Sequence, residues 1–383
     1  MRYITAGESH GRVLTAIVSG VPAGVSLDAA LIDGDLARRQ RGYGRGGRQA
    51  IETDHALVLS GVRFGRTIGS PVALSIANRD WDNWLDVMAV SGTRPEGARV
   101  TAPRPGHADL AGVQKTASDD VRDILERASA RETAARVAAG AVGKAVLAEL
   151  GVVVRSFVAS IGAVSMLVPE VAWELDADAV EASDVRCPDP EVSERMRRAI
   201  DEARADGESL GGTFVVTATG LVPGVGGYAE ACQRLDARLA AAVVSIPAIK
   251  GVEFGDGFAL AGRLGSLAHD EILHEAGRGI LRPTNRAGGL EGGMTNGEPL
   301  VLRAAMKPIP TLMRPLASID IDTREPVDAS RERSDVCAVP SAAVVAEAEV
   351  ALVLADAYLA KFGGDAIVDT RAALDAYRAR IAG

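Results

Sequence analysis

The five histidines of this 383-residue chain are few enough to be considered one by one. His10 lies in AGESHGR and His107 in RPGHAD, and both segments are rich in turn-forming residues. A histidine in such a loop titrates near neutral pH and can act as a general acid or base. The alternative is a hydrogen-bonded histidine that only stabilises its loop. His55, His269 and His274 stand in ordinary polar sequence, where the structural interpretation is favoured.

An arginine-rich segment, RRQRGYGRGGR, occupies residues 38–48. Glycine lets the backbone approach a ligand closely, and guanidinium groups match phosphate and carboxylate, so the segment could surround a small polyanion. The alternative is a solvated basic loop. The segment also contains G-x-G-x-x-G, but it follows a predicted helix and leads to a strand. A dinucleotide-binding loop has the opposite flanks, so we discount that interpretation.

Further segments offer side chains for binding anions or moving protons: ERASARET at 126–133, KPIPT at 307–311 and ERSDVC at 332–337. In the last of these, an extended backbone would direct Arg333 and Asp335 the same way. The sequence contains no nucleophile elbow, metal-binding cluster or Walker loop. Together these residues indicate a small, multiply anionic ligand that is handled by acid–base chemistry.

The composition is that of a globular protein, with 47% hydrophobic and 24% charged residues and a net charge of −9. This charge argues against a general nucleic-acid binder, which would carry a basic surface. Cys187, Cys232 and Cys337 are far apart, so neither disulfides nor a zinc site is expected, and a reducing compartment is the simplest setting. Without a signal peptide or a long apolar run, we expect a cytoplasmic protein with no membrane partner.

The elements that must position these segments follow one another irregularly. Strands are predicted within 12–27 (two short ones) and over 56–62, 71–77, 152–165 and 213–221, and helices over 29–41, 116–150, 190–206, 231–245, 340–360 and 366–381. Because strands rarely alternate one-for-one with crossover helices, the pattern favours an α+β fold over a doubly wound parallel sheet. With no linker or repeat visible, we expect a single domain over residues 1–383.

The motifs, in their order along the chain, resemble those of the chorismate synthase family. They are AGESHG at 6–11, RRxxGYGRGxR at 38–48, RPGHAD at 104–109, RASARET at 127–133, AIKGVEFGDGF at 248–258, GGMTNG at 292–297, AMKPIPT at 305–311 and ERSDVCAVP at 332–340. The resemblance implies helices layered between antiparallel four-stranded β-sheets and a homotetramer. It also implies a lyase that uses reduced FMN to convert 5-enolpyruvylshikimate 3-phosphate to chorismate and phosphate, the last common step of the shikimate pathway to aromatic amino acids.

The resemblance also implies roles for particular residues. His10 corresponds to the histidine that protonates the departing phosphate, His107 to the one that controls protonation of reduced flavin, and Asp335 to the aspartate that works with flavin N5 to remove the C6 proton. Substrate-binding arginines would be Arg39, Arg45, Arg48, Arg104 and Arg131, the first two at positions sometimes assigned to NADPH. FMN contacts would be Arg127, Ala128, Ser129, Pro247, Ala248, Gly292, Lys307, Pro308, Ile309, Pro310, Thr311 and Arg333.

Two positions depart from the family pattern. Many members have Asn or Gln where this chain has Pro247, so only a backbone contact is expected there. Many have His where Ser334 stands, which leaves Asp335 intact but changes its hydrogen bonding. No flavin-reductase segment is visible in the sequence, so we expect an external flavin reductase, with NADPH as the other candidate reductant.

Two alternatives from other classes remain open at this point. A nicotinamide-dependent oxidoreductase would consume one NADPH per substrate and change the oxidation state of its product. An anion-binding module built on residues 38–48 would show salt-sensitive binding to many anions and no role for His10 or Asp335. Turnover and its stoichiometry separate these alternatives from the lyase.

Overall fold

The computed structural model describes residues 1–46, 53–277, 279–332 and 335–382. Arg48 and Arg333, which were expected at the site, lie outside the described residues, as does Ser334. Two antiparallel sheets, with a layer of helices between them, form most of the described part of the chain.

The first sheet, within the described residues, has four strands in the order β1-β2-β6-β3. Its strands are β1 Arg2–Ala6, β2 Val13–Ser19, β3 Ala56–Ser60 and β6 Val72–Ala77. Neighbouring strands are antiparallel, and Leu14 lies opposite Ile76. Because side chains alternate between the two faces of a strand, Leu14, Leu74 and Ile76 are buried, whereas Leu57 is exposed.

The second sheet, in the described part of the chain, has five strands in the order β10-β15-β9-β7-β8. They are β7 Val153–Ile161, β8 Val164–Ser165, β9 Gly212–Thr219, β10 Ile249–Phe254 and β15 Leu300–Met306, all antiparallel to their neighbours. The expectation was four strands. The fifth, β8, arises because the chain reverses at Gly162, which has φ +54°, and pairs Ser165 with Ser160.

Short two-stranded ribbons lie outside the two sheets. They pair β4 Val62–Arg63 with β5 Arg66–Thr67, β11 Leu273–Glu275 with β12 Gly279–Leu281, β13 Leu290–Glu291 with β14 Met294–Thr295, and β16 Ala317–Ile319 with β17 Pro326–Asp328. Two-stranded ribbons bury little surface of their own, so they depend on packing against the rest of the chain.

The helices are α1 Ala29–Gln40, α2 Asp109–Thr116, α3 Arg122–Ala128, α4 Thr133–Ala148, α5 Ala177–Ala182, α6 Pro190–Ala205, α7 Leu235–Val244, α8 Gly265–Ala268, α9 Val339–Phe362 and α10 Ile367–Ala382. Local signals set several of their ends. The side chain of Asp28 caps α1 by accepting from Ala30 N, and Asp189 caps α6, which begins with proline. Among the described residues, no helix is both long enough and apolar enough to cross a membrane.

The single helix predicted over 116–150 was wrong, because this stretch is broken twice. Ala117 ends α2 in the left-handed region at φ +56°, and the Asp120 side chain then accepts from Arg122 N at the start of α3. Ser129 is extended and caps a 3₁₀ turn by accepting from Arg131 N. These breaks place Ser129 and the 3₁₀ turn Ala130–Glu132 between α3 and α4.

Helices α4 and α9 lie between the two sheets. Helix α4 packs on the first sheet, α9 packs on the second, and the two helices pack on each other. Their contact is close because Gly140 faces Ala348, and a Cβ added at Gly140 would come within 2.2 Å of the Ala348 Cβ. One core cluster takes residues from both sheets and both helices, so the loops at their ends are held in a fixed relation.

Candidate active site

A cavity of about 1480 Å³ lies where loops from distant parts of the chain meet. Among the described residues, nine arginine or lysine side chains and four aspartate or glutamate side chains line it. The cations are Arg39, Arg45, Arg104, Arg127, Arg131, Arg136, Lys250, Lys307 and Arg331. Because the whole chain has a net charge of −9, the cavity is a local region of opposite sign that attracts anions.

Most of the residues predicted from the motifs come together in this cavity. Its lining includes His10, Arg39, Arg45, Arg104, His107, Arg127, Ala128, Ser129, Arg131, Pro247, Ala248, Lys307, Ile309, Pro310, Thr311 and Asp335. Gly292 and Pro308 do not line it. Both are exposed, Gly292 because it forms the turn between β13 and β14, and Pro308 because it faces outward between two lining residues.

His10 is held by α3 and by the turn that follows Asn78. Its Nδ1 lies 2.9 Å from Glu126 Oε1, and its backbone N–H donates to Glu126 Oε2 at 2.8 Å. Its ring stacks on Trp84 with the ring centroids 3.8 Å apart. Burial by itself would raise the pKa of Glu126, but the hydrogen bonds and charge of His10, aided by Arg122, outweigh it and lower that pKa.

Asp109, the first residue of α2, is fully buried and organises the loop that carries His107. It accepts from Arg104 Nε at 2.8 Å and lies 2.5 Å from His107 Nδ1. Burial alone would raise the pKa of Asp109, but hydrogen bonds from His107 and Arg104 hold it well below its usual range. Arg104 Nη1 also donates to Thr311 Oγ1 at 3.1 Å, so two motifs are joined at the cavity wall.

Arg45 and Asp335 form an ion pair across the cavity wall. Arg45 Nη1 lies 2.9 Å from Asp335 Oδ2, and the Gly46 backbone N–H donates to Asp335 Oδ1 at 2.7 Å. Arg45 Nε is buried and has no hydrogen-bond partner within the described part of the chain. A buried donor without a partner loses its hydration, so this N–H is suited to an incoming anion.

Arg39 and Arg131 share the buried carboxylate of Asp54. Arg131 Nη1 lies 2.6 Å from Asp54 Oδ1, whereas Arg39 Nη1 is 3.6 Å from Asp54 Oδ2. Arg39 otherwise donates to neutral oxygens of residues 130–133. Burial lowers the pKa of Arg39 to about 9; Asp54 opposes this shift and the nearby Arg45 adds to it. Arg39 is still cationic at neutral pH, and the two arginines carry positive charge beyond that of their shared partner.

Two helices begin at the cavity. The first turns of α4 and α9, helices of 16 and 24 residues, contribute lining residues that include Thr133 and Ser341. The positive end of a helix dipole favours a bound anion. The lining also has an apolar part formed by Ile246, Met306 and Val345, so the cavity can accommodate a ligand with both a flat apolar ring and anionic groups.

Two loop residues predicted for the site have specific contacts. Lys307 Nζ donates to the Gly106 carbonyl, and Lys307 N–H donates to the Ala248 carbonyl at 2.9 Å, which joins the 307–311 loop to its neighbours. Arg127 directs its guanidinium to backbone oxygens at the end of β1 and is more exposed than Arg39, Arg45, Arg104 and Arg131. It borders the cavity and also holds the first sheet.

Several residues that shape the site were not predicted. Glu126 opens the segment ERASARET, so its place in the motif was an available signal. Asp54 and Trp84 lie in segments without a recognised motif, and no local pattern pairs them with Arg131 or His10. Their partners are distant in sequence, so only packing brings them together.

The chain is similar to known proteins over nearly its whole length. A family model described as chorismate synthase matches residues 1–359. A chorismate synthase of Moorella thermoacetica is 59% identical over 379 residues, which covers 99% of this chain and 98% of that protein. Another, of Rubrobacter xylanophilus, is 56% identical over 379 residues, with 99% and 97% covered.

A solved structure, a crystal structure of chorismate synthase, covers 99% of this chain and 98% of its own with a TM-score of 0.80 and 43% sequence identity. Together with the sequence relatives, it confirms the resemblance inferred from the motifs and the α+β class. The chain belongs to the chorismate synthase family.

Proposed function

We propose that this chain converts 5-enolpyruvylshikimate 3-phosphate to chorismate and phosphate in the cavity described above. Carbon–oxygen lyase activity follows from its family. The observation that carries the proposal for this cavity is the convergence of His10, His107 and Asp335 with an excess of cationic side chains in one place. In this reaction the C3–O bond breaks, phosphate leaves and a proton is lost from C6, with no net redox change.

The cationic lining fits the substrate, which carries a phosphate and two carboxylates. Arg39, Arg45 and Arg131 form one group on the side of Asp54, and each is mostly buried. Fixed cations in a water-poor site stabilise charge on a leaving phosphate more strongly than water does. The unpaired Nε–H of Arg45 adds a donor to this group.

His10 is the proposed proton donor to the departing phosphate. Glu126 engages its Nδ1, so Nε2 is the atom that would hold the proton and give it to a phosphate oxygen as the C3–O bond breaks. Asp335 is the proposed acceptor of the C6 proton. Arg45 and the Gly46 N–H hold the two oxygens of its carboxylate, which fixes the direction of the group.

The lining also fits reduced FMN. The cavity exceeds the roughly 300–1000 Å³ of a site for one ligand, so there is room for flavin beside the substrate. Residues 128–129, Ala248 and the 307–311 loop would hold it, with the apolar wall against its ring. When bound, reduced FMN lends electron density to the substrate and recovers it. His107, oriented by Asp109, would hold a proton on the flavin side.

Further expectations from the sequence and from the family resemblance belong to the same proposal. They are a homotetramer, a single domain and flavin that is reduced outside this chain, with NADPH as the alternative reductant. The core cluster that includes residues of both sheets supports the single domain. Gly292 is exposed in this chain, so any flavin contact there would depend on another subunit.

The activity is tested by anaerobic incubation of the protein with dithionite-reduced FMN and substrate. We expect chorismate absorbance to rise with one equivalent of free phosphate and no stoichiometric loss of reductant. Oxidised FMN is the matched control and should support no turnover. Consumption of one NADPH per product, or phosphate release without chorismate, would contradict the proposal.

The shared cavity is tested separately by flavin binding. Because substrate covers part of the same cationic surface and closes the cavity around the flavin, FMN should bind more tightly in the presence of substrate. Fluorescence quenching measures both affinities, and equal values with and without substrate would show that the two ligands do not share the cavity.

A further inference from the structure

We propose that Glu126 is the positioning residue for His10, selecting the ring tautomer that leaves Nε2 on the cavity side, while Trp84 fixes the plane of the ring. This inference rests on the proposed function, since it takes His10 as the acid that serves the leaving phosphate. Glu126 does not line the cavity and touches no proposed ligand, so its effect passes through the histidine.

The tautomer follows from the hydrogen bonds of Glu126. Its carboxylate receives the backbone N–H of His10 at 2.8 Å, lies 2.9 Å from His10 Nδ1, and receives Arg122 Nη1 at 3.1 Å. An ionised carboxylate can only accept, so Nδ1 must carry hydrogen. The Glu126 side chain is 3% exposed, so water cannot readily replace these donors. Nε2 is then the nitrogen that gains and loses the catalytic proton.

Trp84 restrains the remaining freedom of the ring. The two rings are nearly parallel, with an interplanar angle of 26° and centroids 3.8 Å apart. Trp84 Nε1 donates to Asp80 Oδ2 at 3.1 Å, and the Arg122 guanidinium lies 5.2 Å from the Trp84 ring centroid. The hydrogen bond therefore sets the direction of the imidazole and the stack sets its plane. Among the described residues, the charged groups in contact with this pair include Glu126 and Arg122 of α3 and Asp80 beside Trp84.

Glu126→Gln tests the tautomer sharply. The His10 backbone N–H and Nδ1–H reach different oxygens of Glu126, and an amide in the same place has an NH₂ where one of those oxygens stood, so one of the two contacts is lost. If the oxygen serves the backbone, the NH₂ faces Nδ1, and only a ring without hydrogen on Nδ1 fits. The doubly protonated ring is then disfavoured, and His10 loses its use as an acid.

Single-turnover rates under anaerobic conditions, with reduced FMN and saturating substrate, give the first readout. Glu126→Gln should slow the reaction by about 10²-fold or more, within the usual range for a lost general acid. Substrate affinity should change little, because Glu126 holds no ligand. Glu126→Asp keeps the charge but withdraws it by one carbon, so its rate should fall between those of the Gln variant and the unmodified protein.

Trp84 supplies a second readout that does not need the reaction. A protonated imidazole stacked on an indole quenches its fluorescence, so Trp84 emission should follow His10 protonation with pH in a Trp81→Phe, Trp173→Phe background. Glu126→Gln removes the carboxylate that pairs with the ring, so the pH profile of the quenching should differ from that of the unmodified protein. Glu126→Asp should change the profile less.

Glu349→Gln is the matched control, because Glu349 is also a buried carboxylate but pairs with Tyr3 and Arg136 instead of a histidine. It should leave the single-turnover rate and the Trp84 titration unchanged.

An unchanged rate in Glu126→Gln, or a slow rate with an unchanged Trp84 titration, would overturn the inference and assign Glu126 a structural role. If Glu126→Gln does not fold, Glu126→Asp is tested in its place. An unchanged single-turnover rate together with an unchanged Trp84 titration in that variant would overturn the inference. Failure of the unmodified protein to form chorismate would refute the proposed function alone, since the Trp84 titration would still test the pairing.

Discussion

Arg38 and Arg39 are neighbours in α1, yet they lie in opposite kinds of ionic environment. Arg38 points away from the cavity into a buried ion cluster, which we define as Asp35, Arg38, Lys144, Glu181, Arg186 and Glu347. Its guanidinium nitrogens lie 2.7 Å from Asp35, 2.7 Å from Glu181 and 2.8 Å from Glu347. Arg39 lines the cavity, donates to neutral oxygens and lies 3.6 Å from its nearest carboxylate oxygen in Asp54.

Charge balance distinguishes the two regions. The buried ion cluster contains three cations and three carboxylates, and Glu347 at its centre is 0% exposed. Burial alone would raise the pKa of Glu347, but Lys144, Arg38 and Arg186 hold it well below its usual range. The cavity, in contrast, has nine cations to four carboxylates among its described lining residues. The charges of the buried ion cluster neutralise one another and join α1, α4, α9 and the second sheet, whereas the excess positive charge of the cavity attracts anions.

The largest expected effect is on catalysis. His10→Ala and His107→Ala should each slow turnover by about 10²- to 10⁴-fold, the span for lost general acid or base groups. Each substitution also removes a partner from a buried carboxylate, so the rate is compared per folded molecule. Steady-state assays run beside thermal melts check this. Near-normal turnover in either variant would return that histidine to a structural role.

A substitution in the buried ion cluster should have the converse effect, lowering stability while leaving the rate close to normal. Glu347→Gln leaves three cations without their central carboxylate, and breaking a buried pair from one side costs about 3–5 kcal/mol of unfolding free energy. The rate per folded molecule should stay close to normal, because Glu347 does not line the cavity. Urea unfolding and active-site titration separate the two quantities. A large fall in rate with normal stability would remove the distinction between the regions.

Arg45→Ala should give a smaller effect at the cavity. Losing one charge-assisted hydrogen bond of about 1.5–3 kcal/mol lowers kcat/KM by on the order of 10- to 100-fold. Arg45→Lys should rescue poorly, because an ammonium cannot replace the planar guanidinium that reaches Asp335 and also presents Nε. A kinetically silent Arg45→Ala would favour the solvated-loop interpretation of residues 38–48.

The smallest expected effect is on the pH dependence of the unfolding free energy. Glu347 and Glu349, both buried in α9, should contribute to it with opposite signs. The pKa of Glu347 is lowered by folding, so its contribution to stability is present above its unfolded pKa of about 4.3 and is lost as pH falls through the lower folded value. The pKa of Glu349 is raised, chiefly by burial, so its contribution has the opposite sign and is lost as pH rises through the folded value.

At neutral pH, Glu349→Gln should therefore change the unfolding free energy by less than Glu347→Gln does. The difference between Glu347→Gln and the unmodified protein should also shrink below about pH 4, because the Glu347 carboxylate takes up a proton in the unfolded state while the folded state still holds it ionised. Thermal melts from pH 3 to 8 measure both trends. Equal losses in the two variants at neutral pH would show that charge balance does not set the energetics of α9.

Local signals in the sequence were sufficient to predict several helices, the family and the main residues of the candidate site. Capping residues and apolar periodicity located α1, α6 and α9 within a few residues, because those signals act over one or two helical turns. The order of the motifs identified the family. His10, His107 and Asp335 were singled out because glycine-rich or irregular segments around polar side chains favour sites over cores.

Tertiary structure alone decided which charged groups face each other. Arg38 and Arg39 belong to the same motif, but one helical step turns them toward different partners, and nothing local distinguishes them. The pairing of Glu126 with His10 also depends on a contact between distant segments. The energy of a charge is set by its burial and its partners, which exist only after α4 and α9 have packed between the sheets.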